Sequence, residues 1–158
     1  MTKLRILVLC LVGGSVITLL LMRPWQLNIA ELSFPDDHAG VATAIETGWL
    51  PRWFPETAHD IRGAQRTFDD SFIWITFTIR GNPATPDFLS EICEPIELEQ
   101  AKMPDPAFIQ KFPEHVRSTY KALQKERGQA AYYACPDDRR EYFLARIGSR
   151  PPYYLWAY

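Results

Sequence analysis

An uncharged run of 17 residues near the amino terminus, residues 6–22 (ILVLCLVGGSVITLLLM), most constrains what this chain can fold into. As a helix rising 1.5 Å per residue, the run would be about 25 Å long, near the lower limit for crossing a bilayer. Arg5 and Arg23 could extend its reach by snorkelling, and Trp25 suits the membrane interface. The run therefore predicts a transmembrane segment over residues 1–25, followed by a folded domain.

Two interpretations of this segment compete. A cleaved signal peptide needs a small-x-small site after its apolar core, and residues 23–26 (RPWQ) provide none. We therefore expect an uncleaved signal anchor. Lys3 and Arg5 favour a cytoplasmic amino terminus by the positive-inside rule, so a single pass through the bacterial inner membrane is expected to place the rest of the chain in the periplasm.

One face of the expected anchor carries small residues, since Cys10, Gly14 and Thr18 follow one another at i, i+4 and i+8. Small residues at this spacing let membrane helices pack closely, which makes self-association through this face one hypothesis. The alternative is that glycine and serine occur in this short anchor without any packing role.

Charge is distributed unevenly along the chain. Three of the 17 basic residues (Lys3, Arg5 and Arg23) flank the apolar run, whereas all 19 acidic residues lie at Glu31 or beyond, so the chain after Arg23 carries a net charge of about −5. Phosphate binding needs a basic surface, and this acidic balance excludes nucleic acid as an expected partner.

Two cysteines, Cys93 and Cys135, lie outside the anchor. In an oxidising compartment such a pair is expected to form a disulfide, which would close a loop of about 40 residues. The alternatives are two buried thiols or a metal-binding pair. Neither cysteine belongs to a CxxC motif and no histidine lies at ligand spacing, so zinc is disfavoured.

The remaining pattern predicts an α+β domain over residues 36–158, joined to the anchor by a spacer at residues 26–35. Strands are predicted at 59–66, 71–79, 129–135, 140–147 and 153–158, and helices at 36–46, 85–93 and 113–127. Short connections between the last three strands favour an antiparallel meander. We therefore expect an antiparallel sheet of about five strands with two or three helices packed on one face.

About half of the domain carries a series of short motifs: 48–51 (GWLP), Phe54-Pro55, Ala58, Asp60-Ile61, Trp74 with Phe77, 132–135 (YYAC) and Tyr153-Tyr154. In these motifs the chain resembles a largely uncharacterised family of small bacterial envelope proteins that are membrane-anchored or lipid-attached. It implies an envelope location and a similar fold. It supplies no catalytic residues.

No motif in the chain predicts catalysis or a cofactor. His59-Asp60 is similar to the metal dyad of HD-type hydrolases, but those enzymes need further ligands on helices, and this pair precedes a predicted strand. Glycine-rich phosphate loops and GxSxG elbows are absent from the sequence. We therefore expect no enzyme, no metal and no cofactor, although a site assembled from distant residues is not visible to sequence reasoning.

Aromatic residues lie on both faces of the strands that we predict at 71–79 and 153–158. We favour burial of both faces, one under the helices and one under the segment from Trp49 to Phe54, because large aromatic patches are rarely left exposed. The alternative is a protein-partner surface, since tryptophan and tyrosine dominate binding hot spots. The candidate residues for that surface are Phe72, Trp74, Tyr154, Trp156 and Tyr158.

These observations favour a membrane-anchored periplasmic interaction module, such as an envelope-assembly subunit or an immunity-type protein that neutralises a toxin. An acidic domain suits the second role, because it could cover a basic active cleft. A small-ligand-binding envelope protein is one alternative, and an envelope enzyme with a site built from distant residues is another.

Overall fold

The computed structural model describes residues 29–34, 38–66, 72–80, 87–148 and 151–158. The expected anchor, including residues 6–22 and the small-residue face at Cys10, Gly14 and Thr18, lies outside these ranges. Within the described ranges, every helix is too short or too polar to span a bilayer.

An antiparallel sheet dominates the described residues, which confirms the predicted α+β class. Its seven strands are β1 (Ile29–Phe34), β2 (Ala58–Arg66), β3 (Ile73–Ile79), β4 (Glu94–Ile96), β5 (Ala130–Pro136), β6 (Glu141–Ile147) and β7 (Tyr153–Ala157). They lie side by side in the order β1-β2-β3-β7-β6-β5-β4, and each neighbouring pair is antiparallel. The carboxyl-terminal meander β5-β6-β7 is as expected, and β7 joins it to β3 at the centre.

Two strands exceed the expected five. β1 occupies the interval predicted as a spacer, and β4 lies between the predicted helices at 85–93 and 113–127, where no strand was predicted. β4 has only three residues, with Pro95 at its centre. Both strands owe their conformation to pairing with a neighbour more than to their own residues.

Both faces of the sheet are buried, because β3 at its centre is almost wholly inaccessible. On face A, defined by Ile75, Phe77 and Leu144, the cover is α1 (His38–Glu46), α2 (Asp87–Glu91) and the aromatic plug (residues 49–54). On face B, defined by Trp74, Phe143 and Trp156, the cover is α3 (Pro106–Ile109) and α4 (Glu114–Lys125). Helices therefore pack on both faces, which corrects the expectation of one.

The longest described helix, α4, has the polarity that its sequence predicts. Glu114 lies in its first turn and Lys125 in its last, as the helix dipole favours. Val116, Tyr120 and Leu123 form an apolar stripe on this helix and are buried against face B. The ring of Tyr120 contacts that of Trp74 at 5.5 Å between centroids.

The predicted disulfide is confirmed. Cys93 and Cys135 are joined by an S–S bond of 2.10 Å, and both side chains belong to the core of face A. The bond fastens the residue before β4 to β5, the strand that pairs with β4. It therefore fastens β4 covalently to its neighbour β5.

Candidate binding edge

Four of the five candidate partner-surface residues belong to the core. Trp74 and Trp156 have no exposed surface, Phe72 and Tyr154 are buried beneath α3 and α4, and only Tyr158 is exposed. The indole Nε1–H of Trp74 donates to Thr119 Oγ1 at 3.1 Å, and that of Trp156 donates to the Lys102 carbonyl at 3.1 Å. The favoured prediction of burial is confirmed, and the partner-surface hypothesis is corrected for these four residues.

The structure places the His59-Asp60 pair at an irregularity of β2. His59 Nε2 and Asp60 Oδ2 are 3.8 Å apart, and Asp60 has a φ of 51°. In the part of the chain that the structure describes, no three metal-ligating side chains come together.

The outer edge of β1 is a different candidate site, because β1 is the first strand in the order of the sheet. β1 pairs with β2 from Ile29–Arg66 to Phe34–Ile61, and no strand among the described residues pairs with its other side. Six strand residues expose an edge about 20 Å long. Backbone N–H and C=O groups along such an edge can pair with another extended chain.

An apolar groove of about 500 Å³ runs beside β1 on face A. β1 contributes Leu32 and Phe34, and α1 contributes Ala44. Leu32 and Ala44 are buried, whereas Phe34 is half-buried, so the groove exposes part of the face A core.

Local capping of α1 shapes the far wall of this groove. Gly48 adopts a φ of 83°, a conformation that glycine supplies without strain, and ends the helix. The N–H of Trp49 then donates to the Ala44 carbonyl at 2.8 Å. This turn places Thr47 and half-buried Trp49 along the groove.

A second, smaller depression of about 180 Å³ flanks β1 on face B. Its lining is mixed, with Glu31, Leu32 and Ser33 from β1, Arg62 from β2 and His115 from α4. His115 Nε2 lies 3.1 Å from the Gly63 carbonyl oxygen, and because a carbonyl only accepts, Nε2 carries the proton. This contact ties α4 to β2 beneath the edge.

The β1 edge thus lies between a mainly apolar groove on one face and a smaller depression of mixed polarity on the other. Side chains alternate between faces along a strand, so a chain added to β1 would present successive residues to these two environments. The arrangement can bind an extended, two-faced segment. Sequence reasoning missed it, although Leu32 and Phe34 alternate with Glu31 and Ser33 at the period of a strand.

Comparisons with known proteins give no relative for this chain, since no family model, no curated protein and no solved structure matches it.

Proposed function

We propose that this protein is a membrane-anchored interaction module in the periplasm of a bacterial cell, and that it binds an extended segment of a partner protein along β1. The apolar run at residues 6–22, with its flanking cations, supports the anchor. The Cys93–Cys135 disulfide supports an oxidising compartment.

The observation that carries the binding role is the open edge of β1 beside an apolar groove. Strand addition uses main-chain hydrogen bonds for affinity and pockets for alternate side chains for specificity. β1 has six residues without proline, and the groove offers partly exposed Phe34 and Trp49. Both requirements of strand addition therefore meet at one place.

The two flanks of β1 specify the chemistry of the partner. Residues of the added strand that face α1 would lie in the apolar groove, and those between them would face Arg62, Glu31 and His115. The partner segment is therefore about six residues long and alternates apolar with polar side chains. Apolar burial in the groove stabilises the complex by about 25 cal/mol per Å² before the entropy of ordering both chains is subtracted.

The test uses in-cell photo-crosslinking of the full-length protein. A photoreactive amino acid at Ser33, an exposed β1 position, should give one stoichiometric adduct, and the same probe at Glu97, beyond β4, should not. Thr47→Arg fills the groove and should reduce the Ser33 adduct at least tenfold. Glu46→Arg is the matched control, since Glu46 is exposed on the same turn but does not line the groove.

Three outcomes would contradict the proposal. Equal adducts at Ser33 and Glu97 would show that β1 is not the site, and equal effects of Thr47→Arg and Glu46→Arg would show that the groove is not used. An adduct with twice the mass of the chain would show that β1 binds a second copy of this protein instead of a different partner.

A further inference from the structure

We infer that the end of the sheet at which β1 begins lies against the lipid surface, where Tyr158 enters the membrane interface. This inference rests on the proposed function, because it takes residues 6–22 to cross the bilayer. It adds an orientation of the domain and a second contact with the membrane.

The register of the sheet shows which side chains share that end. Ile29 pairs with Arg66, Gln65 pairs with Ile73, and Ile73 pairs with Ala157. The start of β1 and the end of β7 therefore lie at the same end of the sheet, which we call the base. Tyr158, the residue after β7, belongs to the base.

The length of chain before β1 limits how far the base can lie from the bilayer. Six residues, 23–28, separate the apolar run from Ile29, and a fully extended chain of six residues spans at most about 20 Å. β1, β2, β3 and β7 are neighbours at about 4.8 Å spacing, so Tyr158 lies about 14 Å sideways from the start of β1. This places Tyr158 within reach of the interface.

Tyr158 is also the right kind of residue. Among the described residues it is the one large hydrophobic side chain that is exposed, at 49%. Its ring contacts Phe72 at 5.6 Å, and Phe72 in turn contacts Phe108 at 5.0 Å and Phe112 at 5.1 Å. An exposed tyrosine that packs on buried aromatic rings is typical of the amphipathic side chains that concentrate at membrane interfaces.

The charges around this contact are mixed. Lys111, next to Phe112, is exposed and can attract the anionic headgroups of the bilayer, whereas exposed Asp105 at the start of α3 opposes that attraction. Burial, with smaller effects of Tyr120 and Asp105, raises the pKa of Tyr158 to about 12. A phenol is neutral at physiological pH with or without this shift, so Tyr158 enters the interface without losing a charge.

The experiment measures quenching by lipid bromine in proteoliposomes that contain the full-length chain. A bimane label is placed at Ala107, an exposed α3 position beside Phe108, in a Cys10→Ala background where the other two cysteines remain in their disulfide. The control label is at Gly128, which is exposed and lies before β5 at the opposite end of the sheet. We expect brominated phospholipid to quench Ala107→Cys at least three times as strongly as Gly128→Cys.

Substitution of the tyrosine then tests its role. Tyr158→Ser should lower the quenching at position 107 at least twofold, and Tyr158→Trp should restore it. Equal quenching at 107 and 128, or no response to Tyr158→Ser, would overturn the inference.

Carbonate extraction of the same vesicles tests the membrane anchor separately from the orientation of the base. If the protein stays in the membrane and the base is not quenched, the orientation is wrong and the anchor stands. If carbonate removes the protein, the anchor fails, and the orientation that depends on it fails with it.

Discussion

The two edges of the sheet are built in opposite ways. β4 has three residues, carries Pro95 at its centre, and is fastened through Cys93 to β5. β1 has six residues without proline and opens onto an apolar groove. Proteins usually guard their sheet edges with short strands, prolines and charges, because an open edge pairs with other chains.

The difference teaches where this fold permits binding. Among the described residues β4 is guarded and β1, at the opposite edge, is not, and this agrees with the proposed use of β1 in binding. The Cys93–Cys135 disulfide lies at the β4 edge, where we expect no partner to bind. Each prediction below tests one part of this contrast.

Removal of the disulfide should have the largest effect. Replacing both cysteines by alanine, Cys93→Ala with Cys135→Ala, should lower the free energy of unfolding by about 2–4 kcal/mol, because the open chain gains conformational entropy. Urea unfolding of the full-length protein in mild detergent measures this change, with Cys10→Ala as the control. Amide exchange should accelerate in β4 and β5 more than in β1, and equal acceleration at both edges would break the contrast.

Gly63→Ala should weaken the side of the sheet that carries β1. A Cβ at Gly63 would lie 2.2 Å from the Trp74 carbonyl oxygen and 2.9 Å from Ile75 Cα, so the backbone of β3 must move. Gly63 also pairs with Leu32 of β1. We expect a loss of about 1–3 kcal/mol, typical of overpacking.

Gly128→Ala provides the matched control for this substitution, since a Cβ there has nothing within 4 Å. Its effect should be within about 0.5 kcal/mol, as for an ordinary surface position. Exchange in Gly63→Ala should accelerate in β1 and β2 while β5 is unchanged. Equal losses in the two variants would show that the close approach at Gly63 has no role.

The same contrast shows what the sequence could predict. The five central strands were predicted within two residues of their bounds. In β3, β6 and β7 the signal was strong, because their aromatic and β-branched residues reflect burial on both faces. β4 has too few residues to show the alternation of apolar and polar side chains that marks a strand. In β1 this alternation is weak, and the segment was therefore predicted to be a spacer. The edges of a sheet are set by which strands pair, and pairing is not a local property.

The candidate site was harder still to predict. A tryptophan at position 74 does not reveal whether solvent, a partner or another part of the chain will cover it. The helix that covers it, α4, begins about 40 residues further along the chain. The groove beside β1 likewise depends on where α1 packs, which no residue in β1 encodes. Aromatic alternation predicted two apolar faces, but not what covers them.

Alkaline pH should loosen the β4 side of the sheet before the β1 side. All seven tyrosines lie at Tyr120 or beyond, so none belongs to β1, β2 or β3. Burial raises the pKa of Tyr132, Tyr142 and Tyr154 above 10, and that of Tyr158 to about 12. The folded state therefore keeps protons that the unfolded chain releases near pH 10.

The sign follows from this difference. The stabilisation is complete below pH 10 and is lost as the pH rises through the raised pKa values of the folded state, so the free energy of unfolding should fall between about pH 10 and 12. Absorbance of tyrosinate and near-ultraviolet circular dichroism, followed together, measure it. Ionisation of all tyrosines near pH 10 without loss of the dichroism would contradict the prediction.

Pro95→Thr should have the smallest effect on stability and the most direct bearing on the contrast. Position 95 is exposed on β4 and pairs with Tyr133, so we expect the free energy of unfolding to change by no more than about 0.5 kcal/mol. Threonine restores a backbone N–H and favours strand conformation, which makes β4 a better template for pairing. Sedimentation velocity should therefore detect new self-association in Pro95→Thr and none in the control Glu97→Thr, which lies just outside the strand. If Pro95→Thr self-associates no more than the unaltered chain, Pro95 does not prevent pairing at this edge. The difference between β4 and β1 would then consist of strand length and the disulfide alone.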